Sequence, residues 1–255
     1  MDLLVDLGNS RLKWASHQNG QLCSVGCLKY DEENLATSIS AAWSSLPAPG
    51  KIYVSSDVAS RLTAVLSQWV EKQWATVAHI ITPKDHAYGV KNAYQDPLQL
   101  GTDRWAALVA VRNNIKGAAI IIDCGTAITI DVMNAKGEHP GGMIIPGIQM
   151  MQQSLFKGTH KINRTDEKNE PVLTARGKNT REGVRSGIHT AVIAFINETI
   201  SRATRQTMPQ TKTEKMTNVI TGGDADVILP FLDNSVIHKP TLVLEGLAII
   251  LDKTQ

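Results

Sequence analysis

A short apolar run that closes on Asp-x-Gly occurs twice in this chain. Leu3, Leu4 and Val5 lead into Asp6-Leu7-Gly8-Asn9-Ser10, and residues 118–122 lead into Asp123-Cys124-Gly125-Thr126, close to half a chain length further on. Each run reads as a buried strand. The residues after each glycine, 11–16 and 127–132, read as a second strand rather than a helix, which puts the glycine in a tight hairpin turn. Two matched strand-turn-strand units point to an internal duplication, and 255 residues are enough for two domains that each bury a core.

The segments after the hairpins fit that division. A further strand over residues 21–28 follows the Asn19-Gly20 turn. Strands at 52–55 and 79–82 flank a helix over 60–74, while Trp105, Leu108, Val109 and Arg112 give residues 103–113 a helical face. In the second half the pattern predicts a long amphipathic helix over 181–202, a strand over 218–221, a short helix over 225–232 and a closing helix over 241–251. Strands first, then alternating helix and strand, twice over, describe an α/β protein whose two sheets face a common cleft. The join falls near Lys116-Gly117, giving domains of residues 1–116 and 117–255. The polar stretches 157–168 and 207–217 are expected to be surface loops.

Composition narrows the partners. With 26 basic and 24 acidic residues spread along the chain, the net charge of +2 leaves no basic footprint for nucleic acid or an anionic membrane. The start, MDLLVDLGNS, lacks the basic n-region of a usual secretory signal, and no apolar run reaches membrane-spanning length. Cys23, Cys27 and Cys124 form an odd set without repeated spacing, which argues against a disulfide framework and for a reducing compartment, the cytoplasm. Cys23 and Cys27 would supply only half of a structural metal site. The histidines show no pair spacing, and Trp43, Trp69 and Trp74 fall in helical patterns that read as core.

An Asp at a strand end followed by Gly in a hairpin suits a phosphate: the glycine admits it to backbone N–H groups, and the carboxylate holds a hydrated Mg2+ that bridges its oxygens. Ser10 and Thr126 can add hydroxyl donors. A single Asp-x-Gly is more often a plain turn; the second copy after a second apolar strand is what makes the phosphate reading carry. Ile220-Thr221-Gly222-Gly223-Asp224-Ala225 again sets small residues between a strand and a helix, where adenosine could lie against bare backbone.

These three elements, in this order, resemble the superfamily of acetate and sugar kinases, heat-shock protein 70 and actin. The resemblance implies two ribonuclease H-like (actin-like ATPase) domains, each a mixed five-stranded sheet flanked by helices, with ATP clamped in the cleft. Within that superfamily, Tyr94-Gln95-Asp96-Pro97-Leu98-Gln99-Leu100-Gly101-Thr102-Asp103-Arg104-Trp105 resembles the signature of type III pantothenate kinases. Gly141-Gly142-Met143-Ile144-Ile145-Pro146-Gly147 is similar to another of their motifs, and the likeness runs on through Asn179-Thr180 and Glu245-Gly246-Leu247. Ser10 stands where threonine is commoner and keeps the hydroxyl.

The resemblance implies ATP-dependent phosphorylation of pantothenate to 4'-phosphopantothenate, the first step of coenzyme A synthesis. It makes Asp103 the catalytic base, and Tyr94, Gly101, Thr102, Asp103 and Arg104 the pantothenate site, with Thr180 reaching in from the other subunit of a homodimer. ATP falls to Asp6, Leu7, Gly8, Asn9, Ser10, Arg11 and Lys13, and to Gly125, Thr126, Gly222 and Gly223. Mg2+ is held through water by Asp6, and a monovalent cation, K+ or NH4+, by Asp123. The chemistry agrees, since pantothenate offers a hydroxyl that needs a base and a carboxylate that needs donors. Plainer roles stand beside these: Thr102 or Asp103 as a helix cap, Arg104 in a structural ion pair, Tyr94 in the core, Thr180 as an N-cap. Two rival functions also stand. A regulatory protein like the Bvg accessory factor is opposed by the intact Asp6, Asp103, Arg104 and Asp123 set. A kinase of the same fold for another small alcohol is opposed by chain length and by the Gly-Thr-Asp-Arg-Trp stretch.

Overall fold

The computed structural model describes residues 1–158, 176–207, 216–233 and 235–254. The chain forms two compact units, one of Met1–Asn114 with Thr241–Gln255 and one of Ile115–Pro240.

In the first unit β1 (Asp2–Leu7), β2 (Arg11–Gln18) and β3 (Gln21–Lys29) make an antiparallel meander. Helix α1 (Leu35–Trp43) then leads to β4 (Ile52–Ser56), parallel to β1, and α2 (Ser60–Trp74) to β5 (Ala78–Ile80), parallel to β4. The sheet order is β3-β2-β1-β4-β5. A small antiparallel hairpin, β6 (His86–Ala87) and β7 (Val90–Asn92), precedes α3 (Thr102–Asn114). Strand β1 is central and covered on both faces, with Leu3, Leu4, Val5 and Leu7 at most 1% exposed, and so reads as an unbroken apolar run. Leu3, Val5 and Leu7 share one core with Leu35, Ile39 and Trp43 of α1 and with Leu62 and Leu66 of α2. There Trp43 meets the rings of Trp14, Trp69 and Trp74 at centroid distances of 5.8, 5.5 and 5.6 Å.

The second unit contains β8 (Ala119–Cys124), β9 (Ala127–Met133), β10 (Glu138–His139), β11 (Gly141–Pro146), α4 (Ile148–Gly158), α5 (Thr180–Thr207), β12 (Thr217–Thr221), α6 (Ala225–Ile228) and β13 (Ile237–His238). Its sheet, β11-β9-β8-β12-β13, repeats the first strand for strand. The central strand is antiparallel to its neighbour on the hairpin side and parallel to its neighbour on the other. Ile120, Ile122, Ile128 and Ile130 bury against Ile148 of α4 and Val192 and Ile196 of α5. The short helix at 225 stops at Ile228 and continues as a 3-10 turn over Leu229–Phe231, because Pro230 has no N–H to extend the α ladder.

The last helix, α7 (Leu242–Lys253), belongs to the first unit, so residues 117–255 do not form one body. It packs on α3 where Gly246 lets the two backbones approach; an added Cβ would overlap the Ala106 carbonyl oxygen. Asn114 donates to Glu245 at 3.2 Å and Lys253 to Asn113 at 2.7 Å along the same seam. With α7 in place, all residues from Trp105 to Val111 of α3 are buried, and the one-sided helical face expected from the sequence is a helix covered all round. Of the two stretches expected as loops, Lys157 and Gly158 end α4, Thr207 ends α5, and Met216 and Thr217 lead into β12. Residues 159–168 and 208–215 lie outside the described residues. Among the described residues no helix is long and apolar enough to cross a membrane.

Candidate active site

In the first unit the site grows from the carboxyl ends of β1 and β4. Asp6 pairs in register with Ser55 across the parallel β1–β4 ladder. The hairpin after Asp6 is closed by Gly8 N–H donating to the Arg11 carbonyl at 3.0 Å, so the glycine's own amide is spent on the turn. Tyr30, just past β3, donates its hydroxyl to the Gly8 carbonyl at 2.6 Å. Burial, and then the Asp6 charge, push that phenol above its usual range. Leu7 is 1% exposed with its side chain in the core, which leaves only its backbone for a ligand, while Asn9 and Ser10 are exposed.

Helix α3 begins beside this loop. Its preceding residue, Gly101, has no side chain to cap it, and the cap comes from Asp57 at the end of β4. Asp57 Oδ1 accepts from Thr102 N at 2.9 Å, and Oδ2 accepts from Asp103 N at 2.9 Å and from the Thr102 hydroxyl at 2.8 Å. The Thr102 oxygen in turn accepts from Ser56 N at 2.8 Å and lies 3.0 Å from the Ser55 hydroxyl. Since the single Thr102 proton goes to Asp57, Ser55 is the donor. Thr102 is therefore a buried rivet between β4 and α3. Thr102 does not cap the helix, whereas Asp103 is both capped at its own amide by Asp57 and, through Oδ1, the acceptor for the next first-turn amide, that of Arg104.

Asp103 stands in the first turn of α3, partly exposed, with Oδ1 2.6 Å from Arg104 N. A Cβ on Gly101 would come within 2.7 Å of that oxygen, so the glycine is what leaves it room. Arg104 is 6% exposed; its Nη1 donates to the Tyr94 hydroxyl at 3.0 Å, and its guanidinium carbon lies 5.7 Å from the Tyr94 ring centroid. Tyr94 is fixed through its N–H to Asn92 at 3.1 Å. Tyr94, Gly101, Thr102, Asp103 and Arg104 are thus one cluster, joined to the Asp6 strand through Ser55, Ser56 and Asp57.

In the second unit Asp123, the last residue but one of β8, pairs in register with Thr221 of β12. The loop Gly125-Thr126 is clasped from two directions. Gly147 N–H donates to the Thr126 carbonyl at 2.9 Å, and Asp224 N–H donates to the Cys124 carbonyl at 2.8 Å. A Cβ on Gly147 would overlap the Gly125 and Thr126 carbonyls, and one on Gly222, at φ +99°, would overlap the Cys124 carbonyl and the Asp123 carboxylate. Asp123, Gly125, Thr126, Gly147, Gly222 and Gly223 therefore stand together. The Cys124 thiol beneath them is held far above the usual range by burial, with the Asp123 and Asp224 charges adding to it.

Thr180 is the exposed first residue of α5. The cap there is Asn179, one residue before Thr180: its side-chain oxygen accepts from Glu182 N at 2.9 Å and its side-chain NH2 donates to Glu182 Oε1 at 2.9 Å, while Glu182 Oε2 accepts from Lys178 N at 2.8 Å. Among the described residues no three His, Cys, Asp or Glu converge as a metal cluster. The donor sets instead suit cations held by one carboxylate together with phosphate, carbonyl or water oxygens, as Mg2+ commonly is.

The family model for type III pantothenate kinase matches residues 2–202. The chain belongs to the type III pantothenate kinase family. A type III pantothenate kinase of Nitrosococcus oceani is 39% identical over 253 residues, covering 97% of this chain and 92% of that protein. One from Halorhodospira halophila is 33% identical over 254 residues, covering 97% and 96%. Among solved structures, a conserved Baf family protein from Campylobacter jejuni superposes with a TM-score of 0.62 at 19% identity, covering 99% of this chain and 98% of that one. MreB 5 of Spiroplasma citri bound to AMPPNP superposes with a TM-score of 0.51 at 12% identity, covering 99% and 96%. These structural likenesses show the fold, two actin-like α/β units, as the resemblance of the two hairpins and the Gly222-Gly223 turn implies. The type III pantothenate kinase signature residues are those that the first unit gathers at the start of α3. Tyr30 and Asp57 are absent from the motif and are visible only in the folded chain.

Proposed function

We infer that this chain transfers the terminal phosphate of ATP to the primary hydroxyl of pantothenate, giving 4'-phosphopantothenate and ADP. The observation that carries this reading is the family match over residues 2–202. Asp103 accepts the proton as the hydroxyl oxygen attacks the γ-phosphorus and the bond to the β–γ bridging oxygen breaks, leaving ADP. Tyr94, Gly101 and Arg104 hold the acceptor, with Arg104 serving its polar end through a planar set of donors, while Thr102, its hydroxyl committed to Asp57, Ser55 and Ser56, fixes the start of α3 beneath them. Asp6, Leu7, Gly8, Asn9, Ser10, Arg11 and Lys13, with Gly125, Thr126, Gly222 and Gly223, serve ATP.

Bound Mg2+ would neutralise charge on the phosphate oxygens, and the single carboxylate of Asp6 suits holding it through water. Asp123 suits a monovalent cation, K+ or NH4+, for the same reason of one carboxylate beside carbonyl oxygens. The working form is a homodimer in the cytoplasm, with Thr180 of one protomer completing the partner's acceptor site. The large apolar residues Met143 and Ile144 of β11 and Met150 and Leu155 of α4 are 36–60% exposed, which supports association through this unit.

The test is a coupled ADP-release assay with ATP, Mg2+, K+ and a panel of acceptor alcohols. Turnover with pantothenate alone is expected, with a loss of about a hundredfold or more in Asp103→Asn. Exchanging K+ for Na+ should lower the rate, Thr180→Ala should raise KM for pantothenate, and sedimentation should give twice the chain mass. ADP release indifferent to pantothenate, or faster with another alcohol, would overturn the reading.

A further inference from the structure

The end of β4 carries a carboxylate that the family signature does not contain. We propose that Asp57 is a positioning residue for the phosphoryl transfer, fixing Asp103 relative to Asp6; the inference rests on the reading of Asp103 as the base. A helix leaves its first N–H groups without partners, and the residue before α3, Gly101, has no side chain to meet them. Asp57 meets two of them and the Thr102 hydroxyl from 45 residues away in the sequence. One of those groups is the amide of Asp103 itself, at 2.9 Å.

This attachment is a link in a chain of rigid contacts. Asp6 sits on β1 opposite Ser55 of β4, and Leu7 opposite Ser56. Ser55 and Ser56 grip the Thr102 oxygen at 3.0 and 2.8 Å, and Asp57 holds the amides of Thr102 and Asp103. The phosphate-loop carboxylate and the base are thereby referred to two neighbouring strands of one sheet. Thr102 alone would hold the first residue of α3 and leave the next amide, which orients Asp103, without a tether.

Asp57 is suited to this over a neutral cap. Its charge favours the positive end of the α3 dipole, and its three accepted bonds use both oxygens. The two carboxylates also share the space above Gly101: a Cβ there would lie 2.7 Å from Asp103 Oδ1 and 3.5 Å from Asp57 Oδ2. A side chain at 101 would push both, so the glycine of the signature protects the tether and the base together. Misplacing a reacting group by about an ångström costs on the order of a hundredfold in rate, so loss of the tether should act on turnover.

The experiment compares Asp57→Asn, Asp57→Ser and Asp103→Asn as full-length proteins, with kcat, both KM values, circular dichroism and melting temperature. An Asn oxygen replaces one carboxylate acceptor and its NH2 opposes the remaining donors. We expect Asp57→Asn and Asp57→Ser each to lose about tenfold to a hundredfold in kcat with KM for ATP within about twofold. If Asp57→Asn does not accumulate as folded protein, Asp57→Ser carries the comparison. A wild-type kcat in the folded variants overturns the proposal, as does a loss that disappears well below the melting temperature, since either makes Asp57 a stabilising cap only. Asp103→Asn separates the two readings. Full activity there removes the base and this inference with it, whereas an inactive Asp103→Asn beside a fully active Asp57→Asn removes the inference alone.

Discussion

The hydroxyl of Tyr30 is bonded to the carbonyl of Gly8 at 2.6 Å, so the first Asp-x-Gly hairpin is fastened by a residue 22 positions further along the chain. Tyr30→Phe keeps the buried ring and deletes the bond, at a cost of about 1 kcal/mol in stability. Loosening of the loop should raise KM for ATP several-fold and leave KM for pantothenate nearly unchanged. The pH dependence has a definite sign. Burial and Asp6 hold the folded-state phenol above its ordinary value, so its contribution is complete below the unfolded tyrosine pKa of about 10 and is lost as pH rises through the folded value. Urea melts of wild type and Tyr30→Phe should therefore differ by a constant amount from pH 7 to 9 and converge only at higher pH.

The glycines of the two loops fall into two kinds. At Gly8 and Gly125 an added Cβ would meet nothing nearer than 3.4 and 3.5 Å, ordinary contact, so folding does not require glycine there, and the proposed approach of a phosphate is the reason for it. At Gly147 and Gly222 the added atom overlaps backbone of the second loop, and Gly222 has φ +99° besides. Gly8→Ala and Gly125→Ala should leave unfolding free energy within about 0.5 kcal/mol of wild type while raising KM for ATP. Gly147→Ala and Gly222→Ala should cost about 1–3 kcal/mol in denaturant melts.

Why some features could be read from the sequence and others could not follows from where their partners lie. Strands β1 and β8 announce themselves because both faces are covered, and α2 spans residues 60–74 as its periodicity indicates. Strand β11 gave no alternation: it is an edge strand with Met143 and Ile144 both exposed. Helix α7 reads as a helix, but its return to α3 depends on the Gly246–Ala106 approach, which no local pattern encodes. The motif residues 94–105 were legible because they are contiguous. Asp57 and Tyr30 were not, because each acts on a segment distant in sequence, at Thr102 and Gly8.

Cysteine chemistry separates the three thiols. Cys23 and Cys27 are exposed on β3, whereas Cys124 is buried and its thiol is pushed far up by burial and by the carboxylates of Asp123 and Asp224. The thiolate is the reactive form, so Cys124 should be inert in the native protein. Titration with an aromatic disulfide reagent at pH 8 should count two fast thiols natively and all three after unfolding. A third fast thiol in the folded protein would show that the floor of the second loop opens to solvent.

Arg104 is buried to 6% exposure and is joined to Tyr94 both by a 3.0 Å bond and by its position 5.7 Å from the ring centroid. A lysine keeps the charge but loses the planar fork and the stacking surface. Loss of charge-assisted bonds of about 1.5–3 kcal/mol should make Arg104→Lys raise KM for pantothenate by about tenfold to a hundredfold, with KM for ATP little changed. Tyr94→Phe keeps the ring and removes the acceptor oxygen, so its effect should be smaller, on the order of several-fold. Because the two side chains touch, the double variant should lose less than the product of the single losses. A wild-type pantothenate KM in Arg104→Lys, accompanied by a lowered melting temperature, would make Arg104 a structural cation of the α3 start and leave acceptor recognition to other donors.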